Sequence, residues 1–341
     1  MAKRTQRIRE WLIYQTMSPI RWMFEAILRQ RKQIVLYCVM GNGLGDALAL
    51  STILKALHEK TGVKGIVFSM CPELFLHNPM VVKNISYHQL SSLKRSLLKS
   101  FFRAMRGSSV ICFGGEVWTL GSSPLSTHTL DDDRAKDRNS GWRWLRHLVP
   151  DKNVDIDFDN ATPALFLSDE EIKTYSQKFA LLPLQFSLLK ATVGANRPTA
   201  AEMKNWPINH VRDTVAATPE AHWVQIGQQG EPVIEGTINL LGQTSVRETI
   251  YLISRSRLVL SMEGFVTHAA AAFNVPSLVP LSGVYDPYGF IYPSTVALIS
   301  PQKPPCSPCW KDACDVPGIP CMSEITVDTA VAEVKKLWGA Q

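Results

Sequence analysis

Ile34-Val35-Leu36-Tyr37-Cys38-Val39-Met40-Gly41-Asn42-Gly43-Leu44-Gly45-Asp46 is the stretch from which the fold can be read. Its first seven residues are apolar or aromatic without polar alternation, which marks a strand buried on both faces. Three glycines then turn the chain, and residues 46–60 follow as a helix. Working outward, buried-strand runs recur at 65–70, 110–113 and 164–167, and Ser168-Asp169-Glu170-Glu171 reads as a capping box opening a further helix. A second alternating set starts at 223–227 and 238–241. Ser245-x-x-Glu248 caps a helix to about Arg255, 258–261 is a strand, 268–273 a short helix, and 277–281 and 296–299 are strands. Two successive strand and helix alternations predict an α/β protein of two Rossmann-like, doubly wound parallel sheets facing a cleft, with ligands beyond the carboxyl ends of the strands.

Pro183, Gly194, Pro198 and Pro207 place the crossing between the two sheets within 181–207. The expected organisation is a basic amphipathic extension (1–32), a first domain (33–188), a second domain (189–322) carrying a cysteine-rich loop (304–321), and a terminal helix (323–341). The charge run in 128–147 reads as a solvated loop.

The chain of 341 residues carries 36 Lys and Arg against 30 Asp and Glu, a net charge of +6. All of that excess lies in residues 1–32, where eight basic side chains meet Glu10 and Glu25; the remainder is neutral. A neutral body argues against a general nucleic-acid binder. There is no run of 18 apolar residues and no apolar core of a secretory signal, so the expectation is a cytoplasmic protein. Within the extension, Trp11, Leu12, Ile13, Tyr14 and Met17 precede Pro19, and Trp22, Met23, Phe24, Ile27 and Leu28 follow it among arginines. This reads as two short amphipathic helices broken near Ser18-Pro19, forming a module separate from the neutral body. Aromatic and basic side chains together suit an anionic membrane surface; a helix packed on the protein itself or on a partner subunit is the other reading.

Three elements carry chemistry. The glycine turn does not complete a dinucleotide fingerprint, because Asp46 stands where the third glycine of G-x-G-x-x-G belongs. A carboxylate there either caps its helix or accepts the proton of an incoming hydroxyl. The second element is Glu263-Gly264-Phe265-Val266-Thr267-His268 before four alanines, an acid and a glycine turn leading into a tightly packed helix start. Its amides can receive a pyrophosphate, with Thr267 and His268 as side-chain donors or as structural residues. Lys204-Asn205-Trp206-Pro207 sets a cation before a proline-started helix, useful if phosphate binds there. Third, Cys306, Cys309, Cys314 and Cys321 crowd one proline-rich loop. Four thiols in sixteen residues suit a structural Zn or Fe, a disulfide pairing or free thiols.

In this order the elements resemble glycosyltransferase family 9, the ADP-heptose lipopolysaccharide heptosyltransferases, over roughly residues 33–338. The matching positions are the Gly-x-Gly-Asp turn (Gly43, Gly45, Asp46), the Lys-x-Trp-Pro at Lys204, and Asn239-Leu240-Leu241-Gly242-Gln243-Thr244-Ser245. The acid-glycine-His turn at 263–268 and Cys306-Ser307-Pro308-Cys309 complete the set. The resemblance implies a GT-B architecture, a nucleotide-sugar donor on the second domain, and inverting transfer to a hydroxyl without a catalytic metal. Asp46 would be the base, kept ionised by its helix start. Lys204, Glu263, Gly264, Phe265, Val266, Thr267 and His268 would hold the donor, and Gln229 or Glu231 would fill the place of the family's nucleotide-binding Glu. The implied acceptor is a lipid-linked saccharide at the inner face of a membrane. The alternatives are a protein acceptor, as in relatives that heptosylate autotransporters and bind iron at a cysteine cluster, a nucleic-acid base, or sugar-nucleotide binding without turnover. The chain departs from the family's Asp-(Ser/Thr)-Gly at Glu263-Gly264-Phe265: the acid is one methylene longer and an aromatic replaces a glycine, which changes the shape offered to the sugar or nucleotide.

Overall fold

The computed structural model describes residues 18–38, 43–95, 97–98, 110–113, 157, 160–193, 202–284, 291–302, 304–309, 311 and 313–339. Residues 1–17, Gly41, Asn42 and the charge run 128–147 lie outside the described residues. The chain divides into two compact units, one formed by the described residues up to Asp157 and one by those from 160 onward.

The first unit holds helix α1 (Ser18–Gln30), strand β1 (Gln33–Cys38), α2 (Leu44–Thr61), β2 (Lys64–Ser69), β3 (Val81–Ser86) and β4 (Val110–Phe113). All its strands are parallel, in the order β3-β2-β1-β4. Ile34, Val35 and Leu36 are each buried, as the unbroken apolar run requires. One face of the sheet takes α2, and it does so closely: a Cβ on Gly65 would come within 2.8 Å of Leu36 and 3.0 Å of Leu54. The other face takes Phe24 and Leu28 of α1, which pack with Val35, Ile66, Phe68 and Ile85. From residue 18 on, the basic extension is therefore part of the first unit's core and not a detachable module; removing α1 would uncover Val35 and Phe68. Helix α2 ends where Gly62 adopts φ 71° and its N–H returns to the His58 carbonyl at 2.7 Å. Strand β3 has no counterpart in the sequence reading. It is the sheet's edge, with Val82 and Lys83 exposed, so its pattern is not the continuous apolar run of a central strand.

The second unit holds α3 (Asp169–Lys178), β5 (Ser187–Lys190), α4 (Ile208–Ala216), β6 (Trp223–Gln225), β7 (Ile238–Asn239), α5 (Val246–Arg255), β8 (Leu258–Ser261), α6 (Phe265–Ala272), β9 (Ser277–Pro280), β10 (Thr295–Leu298), α7 (Pro320–Ser323) and α8 (Val327–Gly339). Its six parallel strands run β7-β6-β5-β8-β9-β10, the doubly wound order in which the chain reverses direction between β5 and β8. Both predicted capping boxes form: Ser168 with Glu171, and Ser245 with Glu248. Glu171 also receives the Arg247 guanidinium at 2.7 and 2.6 Å, which ties α3 to α5.

Two expectations change here. The boundary at 188/189 falls inside β5, a central strand of the second sheet; its four residues are too few to stand out between Pro183 and Gly194. Residues 164–167 form no strand. Ala164 and Leu165 are buried there, but the Phe166 carbonyl accepts from Arg247 at 2.6 Å instead of from a ladder neighbour. Among the described residues no helix is long and apolar enough to cross a membrane.

Candidate active site

The reversal between β5 and β8 opens a crevice at their carboxyl ends, where Lys190 pairs in register with Ser261. Thr192 and Val193 leave β5 there, and Met262, Glu263 and Gly264 leave β8; a Cβ on Gly264 would lie 3.7 Å from Val193. The Lys204-Asn205-Trp206-Pro207 turn is anchored against this crevice by its middle residues. Asn205 clamps the Val193 backbone, accepting its N–H at 2.8 Å and donating to its carbonyl at 3.3 Å. Trp206 is buried, with its indole N–H on the Ile325 carbonyl at 3.0 Å and its backbone N–H on the Met262 sulfur at 3.3 Å. The anchoring aims Lys204 at the crevice, where its ammonium meets the Glu263 carboxylate at 2.7 Å. Burial alone would push the Glu263 carboxyl up. The charge and hydrogen bond of Lys204, with a smaller contribution from His268, instead hold it below the usual carboxylate range.

Helix α6 starts immediately after Gly264 without any side-chain cap, so its first amides keep their donors. This contrasts with the reciprocal boxes that close α3 and α5. Ala269, Ala270 and Ala271 are buried to 2% or less exposure, and their small side chains let the helix press onto the sheet. Thr267 turns inward, its hydroxyl 3.1 Å from Ser261 and 3.3 Å from the Met262 carbonyl, which leaves only its backbone amide for a ligand. His268 is buried too, with Nδ1 2.7 Å from the Tyr292 hydroxyl. Burial pushes its pKa down to about 4; Glu263 opposes the shift and Lys204 adds to it. Phe265, partly buried, is the first residue of α6.

A buried neutral histidine makes stability depend on pH. The unfolded imidazole charges near pH 6.5 and the folded one near pH 4, so acid favours the unfolded state across that window. Lowering the pH from about 7 to about 5 should cost roughly 2 kcal/mol through His268 alone. Urea titrations at the two pH values should show this loss in the wild type and a much smaller one in His268→Gln. An equal loss in both would place the acid sensitivity elsewhere.

Beside the turn lies a cavity of about 610 Å³, with Thr192, Val193, Asn205, Trp206, Glu231 and Met322 among its lining. Of the two residues that could fill the place of the family's nucleotide-binding Glu, Glu231 lines this cavity. Gln229 instead packs under Gly242, where a Cβ would come within 2.8 Å of it. Glu231 folds back against Gly227, which has φ 155° and would clash as any other residue, its Cβ 2.6 Å from the carboxylate. Three donors hold it: the Lys190 ammonium at 2.6 and 2.8 Å, the Thr192 hydroxyl at 2.9 Å and the Gln228 N–H at 2.8 Å. Lys190 also donates to the Thr192 carbonyl. Burial lowers its pKa from the usual lysine value, and Glu231 opposes the shift. Neither Lys190 nor Asn205 stands out in the sequence; a lysine ending a buried strand is the only local signal.

Asp46 occupies the third position of α2, after an N-cap Gly43 that has no side chain, and the helix follows β1 at the corresponding reversal of the first sheet. Gly45 is the second helical residue; the placement of the Asp46 side chain lies outside the described residues.

In the cysteine-rich loop, the Cys309 N–H donates to the Gly283 carbonyl at 3.0 Å, and a Cβ on Gly283 would come within 3.2 Å of Cys321. Beyond it, Gly318, Ile319, Met322 and Ser323 line the cavity. Cys306, Cys309, Cys314 and Cys321 are all free thiols. Burial pushes the Cys321 thiol up, and Cys314, Cys309 and Cys306 add to the shift through space. Among the described residues no three Cys, His, Asp or Glu side chains are grouped so as to hold a metal ion. The thiol set has the right chemistry for Zn or Fe.

No protein-family model and no curated protein matches the sequence. Solved structures do. A glycosyltransferase family 9 protein from Veillonella parvula has a TM-score of 0.63 at 13% identity, covering 91% of this chain and 98% of its own. The Escherichia coli ADP-heptose lipopolysaccharide heptosyltransferase II has a TM-score of 0.57 at 15% identity, covering 90% and 99%. The iron-containing dodecameric glycosyltransferase TibC from enterotoxigenic E. coli has a TM-score of 0.57 at 14% identity, covering 90% and 78%; TibC has also been solved with ADP-D-β-D-heptose. Over nine-tenths of its length, the chain has the α/β fold of the glycosyltransferase family 9 structures.

Proposed function

We propose that the protein is an inverting glycosyltransferase that moves a sugar from a nucleoside-diphosphate donor, ADP-linked heptose or a related sugar, to a hydroxyl of a saccharide acceptor. The observation that carries this reading is the pairing of a cation and an uncapped helix start at the β5/β8 crevice with an adjoining nucleoside-sized cavity. Trp206, Ile319 and Met322 give the cavity an apolar wall for a base, and Glu231 offers carboxylate oxygens to ribose hydroxyls. The diphosphate would lie between Lys204 and the amides of Phe265, Val266 and Thr267, which stabilise its charge as the anomeric C–O bond breaks. His268, neutral at physiological pH, would contribute a hydrogen bond and not a charge. Inversion requires the acceptor oxygen to bond to the anomeric carbon as the bond to the diphosphate breaks, and Asp46 would be the base that takes the acceptor's proton.

Thermal unfolding with ADP-, GDP-, UDP- and CMP-sugars tests the donor. At a hundredfold excess over Kd a bound donor adds about 2.7 kcal/mol, roughly 5–10 °C for a domain of this size. The expected result is such a rise with ADP-linked sugars and little with the rest. A protein that no nucleotide sugar stabilises is not a transferase of this kind.

A further inference from the structure

The first unit carries a surface that donor chemistry does not use. We propose that α1 and the helical residues 92–95 and 97–98 together form a docking surface for an anionic lipid bilayer. This inference is independent of the transferase reading.

Helix α1 is apolar on more of its circumference than its packing needs. Phe24 and Leu28, four residues apart, face the sheet. Trp22 (77% exposed), Met23 and Ile27 point away from it into solvent. A helix whose only task is to cover its own sheet would carry polar residues there. The neighbouring segment repeats the pattern. Leu98 joins the cluster of Phe24 and Leu28, which sets residues 97–98 on the same face of the sheet as α1. Leu93 and Leu97, again four apart, are 69% and 61% exposed. Five of the fourteen exposed large apolar side chains among the described residues thus belong to two adjoining segments, a patch and not a scatter.

Charge selects the occupant. Arg29, Arg31 and Lys32 are exposed at the end of α1, and Lys94 is exposed between Leu93 and Leu97. Glu25 is the only acidic residue in 18–32 and 91–98. Large apolar side chains, a tryptophan among them, next to cations match the two layers of a bilayer surface, acyl chain below and anionic headgroup above. A nucleic acid would use the cations but has nothing for leucine, isoleucine and methionine. Arg95 serves a different end: its guanidinium donates to the Leu90 carbonyl at 2.8 Å and the His88 carbonyl at 2.9 Å and lies over the Tyr87 ring, which fixes the segment and presents its leucines ready-ordered.

Co-sedimentation of the full chain with phosphatidylglycerol-containing vesicles, against pure phosphatidylcholine, tests the surface. Binding should require the anionic lipid and weaken with salt. Trp22→Glu and Leu97→Glu should each weaken it about tenfold or more. The double change Arg31→Gln/Lys32→Gln should weaken it about 25-fold, some fivefold per charge. Leu181→Glu, at a fully exposed site in the second unit, should leave it unchanged. Each altered side chain is exposed, so circular dichroism should match the wild type. Wild-type protein that stays in the supernatant overturns the proposal, as does undiminished binding by Trp22→Glu and Leu97→Glu. Self-association that Trp22→Glu abolishes, in a protein that ignores vesicles, would assign the patch to a second copy of the chain instead.

Discussion

Asp46→Ala is expected to slow sugar transfer by about 10²–10⁴-fold, the range for loss of a general base, while leaving the donor-induced rise in melting temperature intact. The comparison that motivates this lies within the protein. Helices α3 and α5 also carry a carboxylate at their third position, and there Glu171 and Glu248 reach back to the N-cap of a serine whose hydroxyl answers them. Helix α2 has Gly43 at the N-cap, so that reciprocal box cannot form and the acid at position three has no serine to serve. If Asp46 only favoured the helix dipole, its loss would cost about 0.3–1 kcal/mol of stability and no more than a few-fold in rate. Asp46→Asn separates the two roles, because the amide keeps size and hydrogen bonding but cannot take a proton at neutral pH. Transfer at more than about a tenth of the wild-type rate in Asp46→Asn would return the residue to a capping role.

How far the sequence reveals this molecule depends on how much of each feature is local. Buried central strands and capping boxes are local: β1 shows as an unbroken apolar run, and Ser168 and Ser245 each carry a glutamate three residues on. Features set by a distant neighbour are not visible. Strand β3 is an edge and is half polar; β5 is four residues long and sits where prolines suggest a linker. The site divides in the same way. Lys204 and Glu263 can be singled out as charged residues at turn motifs, 59 positions apart, yet only the fold joins them. Asn205 looks like a spacer until its clamp on Val193 is seen, and the choice of Glu231 over Gln229 depends on Lys190, 41 residues earlier. Helix α1 misleads in the opposite direction: its basic composition suggests an appendage, and only Phe24 and Leu28, two positions of thirteen, reveal that it belongs to the core.

Lys204→Met should have two separable consequences, one for folding and one for donor binding. Both partners of the pair are mostly buried, with side chains 23% and 17% exposed, so removing the ammonium leaves Glu263 charged and unpaired, a loss of about 3 kcal/mol. Donor affinity should fall about 100-fold as well, since a charge-assisted contact to a diphosphate is worth roughly 1.5–3 kcal/mol. Adding Glu263→Gln removes the stranded charge, so the double variant should regain most of the stability and none of the affinity. The sign of the pH dependence gives a further check. In the wild type the Glu263 carboxyl is held low by Lys204, and its contribution to stability is lost as the pH falls through that lowered value. Without Lys204, burial governs and raises the carboxyl instead; protonation then relieves the unpaired charge, and the stability gap to the wild type should narrow on acidification. Urea titrations at about pH 7 and about pH 5 would show the gap closing in Lys204→Met and no such closing in the double variant. A gap that stays constant would mean that water reaches Glu263 freely enough to solvate it. A double variant that recovers donor binding together with stability would show that Lys204 serves the fold alone, and the diphosphate would then have to be held by the α6 amides without a cation.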